Sequence, residues 1–141
     1  MDKDGIRIQD KEGRILHLDT YFKSIVDSDC CAVVICNLAH EIIYMNPAAC
    51  NRYAKWGGVE LVGKSLFDCH NAASQEKIQK VLDWFEESRS HNRIYTFRNE
   101  QENKDVYMVA LRDDDGRLIG YYEKHEYRAV ETDSLYHFRE E

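Results

Sequence analysis

The chain has 141 residues, with 19 Lys and Arg against 26 Asp and Glu, and a formal charge of −7. That length supports one domain with a real core, and an aromatic content of 11% excludes a chain disordered throughout. The acidic balance, without a basic cluster, argues against nucleic acid and anionic membrane surfaces as partners.

No apolar run approaches the roughly 20 residues of a membrane helix. Met1–Gly5 does not read as a secretory leader, so the expected compartment is the cytoplasm. Five cysteines, an odd number, fit reduced thiols there.

In chain order, residues 1–20 form a polar lead. Ile6 and Ile8, then Ile15, Leu16 and Leu18, flank the turn signal Asp10-Lys11-Glu12-Gly13, which reads as a small hairpin or an arm. Asp19 or Thr20 can cap a short helix that places Tyr21, Phe22, Ile25 and Val26 on one face. Cys31 to Cys36 is an apolar, β-branched run suited to a buried strand. Asn37–His40 is a break of hairpin-loop length, and Glu41–Met45 a second strand. Asn46 then reads as an N-cap and Pro47 as a first helical residue.

Short helices broken at Gly57-Gly58 fill the chain to the turn Gly63-Lys64-Ser65. A longer helix spans about Ser74 to Arg89, with Ser74 as cap and Ile78, Val81, Leu82 and Phe85 as one apolar stripe. Three strands follow: Arg93–Asn99, Asp105–Leu111 and Arg117–Tyr127, the last pair joined through Asp115-Gly116, a hairpin cue. In the tail, Asp133-Ser134 can cap a helix bearing Leu135, Tyr136 and Phe138. The order of elements fits an α+β fold, a five-stranded antiparallel sheet with its helices on one face, and excludes a doubly wound βαβ fold.

Ile42-Ile43-Tyr44-Met45-Asn46-Pro47-Ala48-Ala49, Leu61-Val62-Gly63-Lys64-Ser65-Leu66, and Asp113-Asp114-Asp115-Gly116-Arg117-Leu118-Ile119-Gly120, in this order and spacing, resemble a PAS domain. The resemblance covers residues 21–127, leaving 1–20 as arm or hairpin and 128–141 as a tail. Phe67-Asp68-Cys69-His70 resembles a PAS subset joined to hemerythrin-like domains, although Asn71-Ala72-Ala73 stands where that subset has prolines.

The resemblance implies a sensory or interaction module. Its relatives bind haem, flavin, small acids or nothing observable, so the cofactor stays open. Haem-binding members carry the axial histidine on the long helix, and residues 74–89 hold none. Leu66 stands where the light-sensing members carry their reactive cysteine. A small-molecule cavity between sheet and helices is expected to be lined by Val34, Cys36, Leu66, Ile78, Leu82, Val106 and Met108. His70 is expected at its mouth, as an anchor or as a plain cap of the helix start. Tyr122 falls on the PAS position that touches ligand. The second reading is a ligand-free dimerisation domain filled by its own Met108, Tyr122 and Leu82.

Homodimerisation is expected from the stripe on the first helix and from a sheet face that needs cover. Any output then lies in an effector protein or in further sequence. Zinc spacing is absent, since Cys30-Cys31 and Cys69-His70 are adjacent pairs. No nucleophile elbow, P-loop, dinucleotide or zincin motif is present, so no enzyme is expected.

Overall fold

The computed structural model describes residues 6–140; the segment 1–5 read above for a leader lies outside them. β1 (Arg7–Gln9) and β2 (Ile15–His17) form the small antiparallel hairpin around the Asp10–Gly13 turn. The hairpin runs directly into α1 (Leu18–Ser28). The expected Asp19 or Thr20 cap is replaced by His17, whose side chain caps nothing. One orphan donor of that helix end is satisfied instead across the hairpin, where Leu18 N–H donates to the Ile6 carbonyl at 2.6 Å. Asp19 lies in the first turn, where its charge complements the helix dipole.

β3 (Val34–Asn37) and β4 (Ile42–Met45) form the next hairpin, followed by α2 (Pro47–Arg52). β3 starts three residues later than the apolar run. The reason is the Asn46 side chain, which takes the backbone groups a sheet partner would have taken. Asn46 Nδ2 donates to the carbonyls of Cys31 at 3.0 Å and Val26 at 2.9 Å. Its Oδ1 accepts from Val33 N–H at 2.8 Å and, as N-cap of α2, from Ala49 N–H at 2.9 Å. Pro47 opens α2 as expected.

Short 3₁₀ turns at Ala54–Trp56, Gly58–Leu61 and Leu66–Cys69 lead to α3 (Ala72–Glu87). Asn71, not Ser74, caps it by accepting from Ser74 N–H at 2.8 Å. Then come β5 (Arg93–Asn99), β6 (Lys104–Arg112) and β7 (Leu118–Tyr127). At the β6–β7 turn the Asp113 carboxylate accepts from Asp115 and Arg117 N–H, each at 2.9 Å, and Gly116 takes φ +82°. The tail through residue 140 forms no helix. Leu135, Tyr136 and Phe138 meet no core there, and a short helix without packing is not stable. Asp133, expected as its cap, pairs with His137 and Arg139.

The five strands pair antiparallel in the order β4-β3-β7-β6-β5. On the inner face Cys36, Met45, Met108 and Tyr121 pack with Ala49 of α2 and with Leu82 and Phe85 of α3, Phe85 being fully enclosed. α1 lies on the outer face, where the Tyr44 hydroxyl donates to Asp27. β3 and β7 approach so closely that a Cβ on Gly120 would stand 2.3 Å from the Cys36 carbonyl oxygen.

Asn46→Ala removes a cap and strands several buried backbone groups at once. It is expected to cost about 3 kcal/mol or more, against about 1 kcal/mol for Asn71→Ala, which removes one exposed cap. Urea unfolding of both variants checks the difference.

Candidate functional site

Six of the residues expected to line the cavity come together on the inner face. Cys36, Leu82 and Met108 belong to the buried cluster, and Val34, Leu66 and Ile78 pack against it. Val106 is buried opposite His125, toward the far end of β6. Tyr122 is not among them. Tyr121 pairs with Cys36 and Ala110 and points inward, so Tyr122, paired with Ile35 and Val109, points outward against the α1 side. Strand alternation held, but the parity was the opposite of the expected one. Tyr121 therefore replaces Tyr122 as the inward phenol.

His70 sits at the end of the 3₁₀ turn, half-buried, its Nδ1 2.8 Å from the Leu66 carbonyl. The ring closes the 3₁₀ turn ahead of α3, and the cap of the helix start, which the plain reading gave to His70, is Asn71.

The polar group inside this face is one the sequence did not single out. His40, in the loop between β3 and β4, is buried and stacks on Phe67 with ring centroids 3.9 Å apart. Its Nδ1 lies 2.8 Å from the Tyr121 hydroxyl and its Nε2 3.1 Å from Gln79 Oε1. Gln79 Nε2 donates to Asp83 at 3.0 Å, which turns the amide oxygen toward His40. His40 therefore donates from Nε2 and accepts from Tyr121 at Nδ1. The His40 backbone has φ +64°, a left-handed conformation that favours glycine or asparagine. Keeping an imidazole there is explained by what the ring reaches. This chain ties the β3–β4 loop to β7 and α3.

Burial raises the Tyr121 phenol above its ordinary range and pushes the Cys36 thiol beside it up to about 11. Neither ionises near neutrality, so Cys36 is a packed apolar group and not a nucleophile. The arrangement can hold and orient, but it assembles no nucleophile with an activating base.

Among the described residues, grooves open at the end of α3 and beside α1. One, of about 310 Å³, is lined by Glu86, Arg89, Arg112, Gly116, Arg117 and Leu118. Its Arg112 is engaged with the carbonyls of Phe85, Ser88 and His91 at the end of α3. The other, of about 250 Å³, lies between α1 and the outer face, where Ile25 and Val26 meet Ile35, Leu111 and Tyr122.

Across the molecule, Arg52 of α2 makes two 3.0 Å bonds to Glu102 in the β5–β6 turn. The pairing holds Glu102 down at about 2, from an ordinary 4.5.

One sheet, with α2, α3 and the short turns packed over its inner face, α1 on its outer face and a buried polar chain beneath the inner helices, makes up a small α+β domain. The model of the PAS domain family matches residues 29–124. The chain belongs to that family, whose members are sensory and interaction modules and generally not catalytic. The fold is shared with a C-terminal domain from Streptococcus mutans at 19% identity, over 88% of this chain and 93% of that one, TM-score 0.60. It is shared with a PAS domain from Colwellia psychrerythraea at 14% identity, over 79% and 97%, TM-score 0.57. The PAS domain of Bordetella pertussis BvgS is similar at 14% identity, over 80% and 88%, TM-score 0.54. No curated protein matches the chain. Among the described residues no helix is long and apolar enough to cross a membrane.

Tyr121→Phe leaves His40 Nδ1 without its donor and is expected to cost about 1–3 kcal/mol, against about 0.5–1.5 kcal/mol for His70→Ala at its half-exposed turn. Chemical denaturation of the two variants separates a core anchor from a turn closure. Because Glu102 titrates lower folded than unfolded, its contribution is present above pH 4.5 and lost as pH falls toward 2. Melting temperatures of wild type and Glu102→Gln should therefore differ above pH 4.5 and converge toward pH 2.

Proposed function

We propose that the chain is a signal-relay module of the PAS family that works as a homodimer through α1 and the outer sheet face, with its interior filled by its own side chains. One observation carries this. α1 rests on the sheet through Val26 and Asp27, yet leaves Tyr21, Phe22 and Ile25 at 39%, 57% and 68% exposure beside the groove it makes with Ile35, Leu111 and Tyr122. A helix of 11 residues needs tertiary packing to be stable. An apolar stripe beside an unfilled apolar groove is complementary to a second copy of itself.

The filled interior rests on Phe85, Tyr121, Leu82 and Met108 packing against one another. This is the ligand-free alternative, with Tyr121 and Phe85 in the role first given to Tyr122. The working compartment is the cytoplasm, and the output passes to an effector protein.

A second reading has one observation in its favour. His40, held in a left-handed backbone, is a polar anchor among Val34, Cys36, Leu66, Ile78, Leu82 and Met108. A small ligand with one polar end would fit there if Phe67 swung away.

Sedimentation velocity should give a dimer for wild type and a monomer, with unchanged circular dichroism, for Phe22→Glu combined with Ile25→Glu. A wild-type monomer at high concentration would refute the dimer. Native mass spectrometry should return the mass of polypeptide alone, and a retained small molecule would favour the second reading.

A further inference from the structure

We infer that Asp29, Cys30 and Cys31 form a binding site for a thiophilic divalent metal ion, of the zinc, cadmium or cobalt class, at the junction of α1 and β3. Two thiol sulfurs and one carboxylate oxygen from these residues all lie within 4.8 Å of one another. Neighbouring side chains on an extended strand point to opposite faces, and for that reason the adjacent cysteines carry no metal signature in the sequence. Here the segment is not a strand. Asp29 closes α1, and its Oδ1 accepts from Cys31 N–H at 2.9 Å, which folds the carboxylate back toward the thiols. The backbone is held from beneath. Asn46 Nδ2, on a fully buried residue, donates to the Cys31 carbonyl at 3.0 Å and approaches that of Asp29 at 3.5 Å.

The donor set selects the ion. Two soft sulfurs favour zinc-like metals over magnesium or calcium, and the carboxylate completes three of four tetrahedral positions. Around zinc, with bonds of about 2.3 Å to sulfur and about 2.0 Å to oxygen, neighbouring donors stand roughly 3.5–3.8 Å apart. Small side-chain rotations reach that from the present spacing. Asp29 and Cys30 are exposed and Cys31 is half-buried, so the ion can enter from solvent and water fills the fourth position. Binding joins the ion to two sulfurs and one carboxylate oxygen and releases the two thiol protons to solvent. The bound ion ties the last turn of α1 to the start of β3. Asp29 and Cys31 also line the groove beside α1, so metal binding is read by absorption and proton release, separately from oligomeric state.

The test titrates the reduced 141-residue chain with Co²⁺ and with Cd²⁺ under anaerobic conditions. The expected result is one ion per chain, with thiolate-to-metal charge-transfer absorption and release of about two protons per ion. Cys30→Ser and Cys31→Ser should each cut the absorption by about half or more and abolish it when combined, Asp29→Asn should weaken binding by roughly tenfold, and Cys69→Ser should change nothing. Cys30 is exposed, so its replacement is expected to spare the fold, with an unchanged circular dichroism spectrum as the check. Absence of thiolate absorption in the reduced wild type overturns the proposal. So does absorption at undiminished strength in Cys30→Ser.

Discussion

The amide of Asn46 is the constraint on which the remaining architecture rests. It is fully buried, and its two ends serve four segments: the last turn of α1, the linker to β3, the entry of β3, and the first turn of α2. A buried amide with every donor and acceptor engaged is specific, because moving any one segment leaves a polar group unpaired away from water. The hairpin β3–β4, the outer helix and the inner helices are thereby fixed relative to one point.

From that point the two faces of the sheet take different characters. The inner face is closed by Phe85, Leu82, Met108 and Tyr121, with His40 as a hydrogen-bonded polar member linking the β3–β4 loop to β7 and α3. The outer face is tyrosine and charge toward β5 and β6, where Arg93 lies over the Tyr107 ring and Arg128 pairs with Asp105. Toward β3 it is apolar and only half covered by α1. A molecule built this way buries its core on one face and leaves its uncovered apolar surface at the helix on the other.

Much of the fold was legible because it follows from local chemistry. The Asp115-Gly116 turn, Pro47 after Asn46, and the period-2 run Arg93–Asn99 each specify their element with little help from the rest of the chain. What was not legible depended on register or on distant partners. Tyr121 and Tyr122 are chemically equivalent neighbours, and the pairing of β7 with β3 and β6, including the irregularity at Leu111/Arg112, decides which one turns inward. Asn71 and Ser74 are both good caps one turn apart, and the chain resolves the choice by using one to bond the other. His40 looked like a loop residue because nothing local reveals that Phe67, Gln79 and Tyr121 converge on it. The grouping of Asp29, Cys30 and Cys31 was hidden for a similar reason, since Asn46 bends the chain there from 15 residues away.

The narrow approach of β3 and β7 at Gly120 bears on how the chain reaches its native state. β5, β6 and β7 form from neighbours in sequence, and so do β3 and β4. The seam between these two halves brings together groups such as His40 and Tyr121, 81 residues apart. Closing so long a loop costs entropy before any contact repays it, so such pairings are slow to form. At Gly120 the two backbones must also meet at a spacing that no side chain would permit. The halves can be assembled locally, and the pairing of β3 with β7 along this glycine seam is the long-range contact that joins them into one sheet, with α1 on one face and α2 and α3 on the other.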